Sequence, residues 1–298
     1  MQLRERRCPV CGADCSANLF AEANYDPAKL DAFAYASRKT PEGMHPRLVR
    51  CDACDLIYAT PVPAMEALAD AYEAAAFDSG EESARAAQTY IAHVMRAART
   101  LPDRAGALDI GTGDGAFLER LLENGFTGVA GVEPSDAPIQ AAKENIRPLI
   151  RKGIFYESAF QPESFSLVTC FQTMEHLPDP AAACDAAFRL LKPGGALALA
   201  CHNHRALSAK LLGMKSPIFD IEHLQLFSPR GVARLLEGAG FKEIKVRAVV
   251  NTYPAHYWIK LLPLPAKAKL IALSKATGIG YIPVPLPAGN LFAVGFKK

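Results

Sequence analysis

Along most of the chain, short apolar runs that close on a polar or glycine-rich turn alternate with stretches in which apolar side chains recur every third or fourth position. Such runs are buried strands, and that spacing marks one face of a helix. The runs end at Asp109, reach Glu133, cover Leu149 to Phe155 weakly, then Ser166 to Gln172, Ala196 to Cys201, Glu243 to Val250 and Leu291 to Phe296. Helices are predicted between them over Asp114 to Asn124, from Pro134 and Ser135 to about Asn145, from the Asp179-Pro180 start to Leu191, and over Pro229 to Ala239. Strand and helix in alternation predict an α/β fold with a doubly wound, mainly parallel sheet. Upstream, Pro63 to Phe77 carries Leu68, Tyr72 and Ala75 on one helical face, and Glu82 to Leu101 carries Tyr90, Ile91, Val94 and Met95. Tyr72, Phe77 and Tyr90 either line a cleft or pack between helix and sheet.

The sharpest stretch is ALDIGTGDGAFL, from Ala107 to Leu118. Gly111 and Gly113 let the backbone turn tightly and approach a ligand where a Cβ would collide. With Ala116 they satisfy the loose dinucleotide pattern G-x-G-x-x-G/A. A pyrophosphate would sit at the helix start, and there Asp109 and Asp114 bring two carboxylates, which repel an anion and suit a cation. S-adenosylmethionine, with an ammonium, a sulfonium and no phosphate, fits that turn better than NAD. Glu133 can accept hydrogen bonds from both ribose hydroxyls, a role open to it with either ligand.

LDIGTGDGAFL, GVEPS, FSLVTCFQTMEHLPDP and LKPGG follow one another in the order of the class I S-adenosylmethionine-dependent methyltransferases, and the chain from about Gly106 onward resembles that family. The resemblance implies a Rossmann-like sheet of seven strands with helices on both faces, the last strand entering antiparallel between the fifth and sixth. It implies a cofactor site at Asp109, Gly111, Thr112, Gly113, Glu133, Pro134, Phe171 and Gln172, with an adenine contact near the third strand's exit, where Ala159 is the candidate.

CPVCG at Cys8 and Cys11 is answered by CDAC at Cys51 and Cys54. Two C-x-x-C knuckles about forty residues apart can set four thiolates around a zinc ion, and a closed four-thiolate site is structural. The other reading is four reduced cysteines in a set of turns. Cys15 is read as a non-ligand, and Ala21 to His45 as an insertion between the knuckles. The expected organisation is therefore a zinc-ribbon-like module over 1–60, a helical linker and cleft cover over 61–102, and a methyltransferase domain over 103–298 with an insertion at about 253–287.

A hydroxyl or ketone α-carbon acceptor needs a base, and His176, His202, His204 and His223 stand near predicted strand ends. EHLPD around His176 and EHLQLFS around His223, together with the paired knuckles, resemble the zinc-containing sugar C-methyltransferases, which implies active-site histidines in both segments. That family has a tyrosine three residues before the second histidine, where this chain has Asp220, and a long C-terminal domain that this sequence does not carry. His223 is expected as general base and His176 as the residue that orients the acceptor, in O- or C-methylation of a sugar or secondary metabolite, nucleotide-linked or lipid-linked.

Across 298 residues the net charge is only +2, so no global field recruits nucleic acid. Arg4, Arg6 and Arg7 form the only dense basic cluster available to an RNA methyltransferase that would hold RNA on its zinc module. A non-catalytic, zinc-stabilised binding protein is the remaining alternative, opposed by the intact Asp109, Gly111, Gly113 and Glu133 set. Basic residues without an apolar run at the N-terminus, no stretch long enough to span a bilayer, and eight cysteines read as ligands or buried thiols predict a cytoplasmic protein. Apolar residues and lysines mix over 253–277, either as a lid or as a peripheral membrane contact. Oligomeric state has no signal in the sequence.

Overall fold

The computed structural model describes residues 3–25, 43–63, 68, 72–73, 77, 80–262, 264 and 266–298. Most of the insertion between the knuckles, and of the helix expected over Pro63 to Phe77, lies outside them. The strands in chain order are β1 (Leu3–Arg4), β2 (Leu19–Ala21), β3 (Leu48–Cys51), β4 (Leu56–Ala59), β5 (Val62–Pro63), β6 (Ala105–Ile110), β7 (Thr127–Glu133), β8 (Ile150–Lys152), β9 (Phe165–Phe171), β10 (Leu191–His202), β11 (Gln225–Leu226), β12 (Lys242–Pro254) and β13 (Pro283–Phe296). The helices are α1 (Gly80–Ala97), α2 (Ala116–Glu123), α3 (Asp136–Ala141), α4 (Pro180–Leu190), α5 (Leu207–Leu212), α6 (Pro229–Gly238), α7 (Ala255–Leu261) and α8 (Lys267–Ala276).

Seven strands form one sheet in the order β12-β13-β10-β9-β6-β7-β8. The pairs β8/β7, β7/β6, β6/β9 and β9/β10 are parallel, and β13 runs antiparallel between β10 and β12. β6, β9 and β10 sit in the middle because their side chains are apolar on both faces: Leu108, Val168, Leu197 and Leu199 are all buried. α4 starts where Asp179 accepts a hydrogen bond from Ala182 N and Pro180 takes the first turn, and α6 starts likewise with Ser228 accepting from Gly231 N.

Several elements differ from the pattern read off the sequence. α3 stops at Ala141 rather than near Asn145, because Ile146 must turn inward to pack where a Cβ on Gly115 would otherwise lie, 2.4 Å from its Cγ2. The third strand is only three residues, Ile150–Lys152. β12 and β13 run on as a paired ribbon, Asn251 to Pro254 against Leu286 to Pro283, so that both ends of the expected 253–287 insertion are strand and the middle is the α7–α8 helical hairpin.

The N-terminal residues do not stand apart. β11, directly after His223, pairs antiparallel with β4, giving a second sheet in the order β11-β4-β3-β2. Cys8, Cys51, Cys54 and Tyr58 belong to the same buried cluster as Leu108, Val168 and Leu199 of the main sheet. Among the described residues no helix is long and apolar enough to cross a membrane.

Candidate functional site

A cavity of about 610 Å³ opens at the carboxyl ends of the parallel strands, where a doubly wound sheet places its ligands. All eight residues expected at the cofactor line it, as do His176 and His223. Sheet order separates the two groups: the turns after β6 and β7 lie on one side of β9, and the ends of β10, β12 and β13 on the other.

On the β6 side the glycine turn is held by Gly111 N and Thr112 N, both donating to Val132 O at 2.9 and 3.0 Å. A Cβ on Gly111 would fall 2.2 Å from Thr173 Oγ1, whereas at Gly113 it would meet nothing within 4 Å; both residues have a left-handed φ, +74° and +58°. Gly111 is thus demanded by the protein's own packing, while Gly113 leaves open space beside the cavity. The Glu133 carboxylate accepts from Gly113 N and Ser135 N, each at 2.9 Å, which fixes it at the strand end with a lone pair left on each oxygen for ribose hydroxyls. Gln172, at φ +53°, has a buried side-chain Nε2 with no partner among the described residues, an orphan donor that a bound ligand would satisfy. The residues present therefore fit a cationic adenosyl ligand. Phe171 packs its ring 4.7 Å from Tyr90 and 4.8 Å from Phe117.

Asp109 is fully enclosed. Burial pushes its carboxyl up to about 7, and the neighbouring Glu133 charge adds to that, against hydrogen bonds from Thr169 (2.6 Å) and Thr112. Glu133 is also raised by burial, opposed by the Ser135 and Gly113 amides. Ala159 is a correction: because β8 ends at Lys152, the chain reaches the cavity earlier, through Phe155 and Tyr156, and Ala159 lies on a separate hollow with Gly106 and Gly128 at the strands' amino ends.

On the other side three imidazoles cluster, the His223 ring 5.1 Å from His176 and 4.7 Å from His202. Each has Nδ1 on an oxygen: Ile218 O at 2.8 Å for His223, Glu222 O at 3.1 Å for His176, Asn290 Oδ1 at 3.0 Å for His202. A Nδ1–H donated to an oxygen leaves Nε2 as the basic nitrogen. The Glu222 carboxylate lies 3.8 Å from His223 Nε2 and 4.0 Å from His176 Nδ1, and ligand atoms of these three residues fall within 4.8 Å of one another. His204 does not join them: its Nε2 bonds Asp55 O at 2.9 Å, outside the cavity. Where the sugar enzymes have a tyrosine beside the second histidine, Asp220 lines the wall and Tyr72 supplies an aromatic edge, 5.9 Å from His176. Tyr72 also bridges the two sides, its carbonyl accepting from Ser135 Oγ at 2.5 Å and its hydroxyl donating to Glu222 O at 3.4 Å.

The loops carrying these histidines are stitched together by Glu175 and Gln225, which lie within the two histidine motifs, and by Arg6, which no motif marks. Glu175 O accepts from Leu224 N, and Glu175 Oε1 from His202 N at 2.6 Å. Gln225 Nε2 donates to Met174 O and Leu177 O, both at 2.7 Å. Arg6 reaches in from the N-terminal strand, donating to Ala59 O, Pro178 O, Leu224 O and Gln225 Oε1 at 2.5 to 3.1 Å; burial lowers its pKa to about 10, which leaves it cationic at neutral pH. It is structural, not part of a basic face for RNA.

Cys8, Cys11, Cys51 and Cys54 converge, with Sγ–Sγ distances of 3.4 Å for Cys8–Cys54 and 3.5 Å for Cys11–Cys51 and every pair within 4.8 Å. A tetrahedron with Zn–S bonds of about 2.3 Å spaces its sulfurs about 3.8 Å apart, so the four thiols fit one ion. Cys15 lies outside the cluster, its thiol on Ala13 O.

The sheet order with an antiparallel strand next to last, and the acid-flanked glycine turn at its switch point, define a class I methyltransferase. The family described as Methyltransferase domain matches residues 83–246, more than half of the chain, and the chain belongs to that family. Among curated relatives, the ubiquinone biosynthesis O-methyltransferase of Idiomarina loihiensis is 29% identical over 48% of this chain and 64% of its own length, and that of Methylococcus capsulatus is 35% identical over 42% and 53%. The chain spans about half to somewhat under two thirds of such relatives. Solved structures of similar fold include a methyltransferase from Archaeoglobus fulgidus (18% identity, 71% of this chain and 94% of that one, TM-score 0.49) and one from Thermotoga maritima described as a possible histamine N-methyltransferase (22%, 70% and 89%, TM-score 0.47).

Proposed function

We propose that the protein transfers a methyl group to a hydroxyl of a small ring-bearing molecule, a sugar or a secondary metabolite, with His223 as general base and His176 as the orienting residue. The observation that carries this is the His223 imidazole, which lines the same cavity as the glycine turn and whose Nδ1 is committed to Ile218 O. The relatives' name, ubiquinone biosynthesis O-methyltransferase, supports oxygen as the acceptor atom.

Asp109, Gly111, Thr112, Gly113, Glu133, Pro134, Phe171 and Gln172 would hold S-adenosylmethionine, which when bound would supply an electrophilic methyl carbon on a sulfonium. Methyl transfer quenches that positive charge, so the protein's work is to align the acceptor and remove its proton. His223 Nε2 takes the hydroxyl proton as the new O–C bond forms, and Glu222 beside it favours the resulting imidazolium. His176 and Asn290 hold neighbouring polar groups of the acceptor, while Tyr253, Tyr257 and Trp258, with ring centroids 4.4 to 5.6 Å apart, offer flat apolar faces to its ring. Cys8, Cys11, Cys51 and Cys54 would hold a zinc ion that braces the loops through β4 and β11, a structural role outside the transfer.

Assay of purified protein against hydroxylated ring acceptors with labelled S-adenosylmethionine tests this. His223→Ala should lower kcat by roughly a hundredfold to ten-thousandfold with cofactor affinity unchanged. Transfer within threefold of wild type would remove His223 from the role.

A further inference from the structure

The cavity's acceptor side is walled by α7 and by the β12–β13 ribbon, through Tyr253, Tyr257, Trp258 and Leu261. The segment that joins them, from α8 to Ile282, turns a very different face outward. Helix α8 has no buried residue, and Leu270, Leu273, Ile279, Tyr281 and Ile282 stand between 43% and 63% exposed. Across the ribbon, α5 is tied to β13 by Ser208 Oγ donating to Ala288 O, and exposes Leu207 at 71% and Leu211 at 76%. A concentration of large exposed apolar side chains on one region marks an interaction surface.

Its charge selects the partner. From Ile244 to Lys298 the chain has no aspartate or glutamate, and the hairpin carries Lys260, Lys267, Lys269 and Lys275. The α5 segment adds exposed Lys210 and Lys215, with no acid between His204 and Phe219. A second copy docked face to face would set lysine against lysine, which like-charge repulsion opposes. An anionic bilayer satisfies both halves of the pattern, apolar side chains entering the interface and lysines meeting lipid phosphates.

We infer that the α7–α8 hairpin and α5 form a docking surface for an anionic phospholipid membrane. The surface adjoins the cavity, so the acceptor it serves is an amphiphile held in the membrane plane. The acceptor part of this inference rests on the methyl-transfer reading above; the docking itself does not.

Sedimentation of the full chain with vesicles of phosphatidylglycerol and phosphatidylcholine, against pure phosphatidylcholine, tests it. The protein should partition to the anionic vesicles, less at high salt, and weaken roughly fivefold for each of Lys269→Ala and Lys275→Ala. Leu273→Glu with Leu211→Glu should abolish partition while S-adenosylmethionine binding, followed by calorimetry, stays unchanged. His223→Ala must still partition, so that failure of the catalytic assignment and failure of docking are read separately. No partition of cofactor-competent wild type, equal partition of the Leu variants, or a dimer in ultracentrifugation that Leu273→Glu dissolves would each overturn the inference.

Discussion

Two glycines separated by a single residue carry different obligations. At Gly111 a methyl group would strike the Thr173 side chain at 2.2 Å, while at Gly113 it would meet nothing within 4 Å. Gly113→Ala should therefore cost only the backbone strain of a left-handed alanine, about 1 kcal/mol in thermal unfolding, yet weaken S-adenosylmethionine at least as much as Gly111→Ala does. Asp109 carries a pH signature of its own. Its carboxyl titrates near 7 in the folded protein and near 3.8 when unfolded. The stability it contributes is fully present below pH 4 and is lost as pH rises to about 7, where the unfolded chain has released its proton and the folded chain still holds it. A cationic ligand favours the ionised form, so calorimetry should find affinity for S-adenosylmethionine rising roughly three- to fivefold from pH 6 to pH 7, and Asp109→Asn should flatten that rise.

At the scale of elements, what positions the histidines is a set of crossing hydrogen bonds between loops far apart in sequence. Arg6, from the start of the chain, satisfies carbonyls in both the Glu175–Asp179 loop and the His223–Gln225 segment. Arg6→Met would leave Pro178 O without its donor and Leu224 O with Ala59 N alone, and should destabilise the protein by about 3 kcal/mol in denaturant unfolding, with kcat falling more than cofactor affinity. Arg6→Lys should rescue little, since an ammonium cannot span the fork of carbonyls that the guanidinium reaches. Resemblance identifies both histidine segments through EHLPD and EHLQLFS, the second of which contains Gln225, but nothing along the chain marks Arg6 as their tie, a role that exists only once the loops meet. Arg6, read along the chain, is one of three arginines in a basic cluster.

At the scale of the whole molecule, the cysteine cluster and the catalytic cavity share a core. β4 joins the cluster to β11, and β11 begins two residues after His223. Elemental analysis should find about one zinc ion per chain, and unfolding of that protein should be a single transition, because Cys8, Cys51 and Cys54 are buried with the centre of the main sheet. Cys51→Ser should release the ion, lower the melting temperature and reduce transfer together, rather than detach an independent module.

The order of strands and helices, the acid-flanked glycine turn, Glu133 at the end of its strand and the paired knuckles are all local, set by periodicity, turn chemistry and spacing, and the sequence by itself determined them. Helix α3's early stop, the short β8 that leaves Ala159 outside the cavity, the position of His204 away from it, and the packing of the cysteine cluster into the same core as the main sheet were decided by tertiary structure alone. Each depends on which distant surface a side chain meets, and no pattern along a chain records the packing that brings two of its segments together.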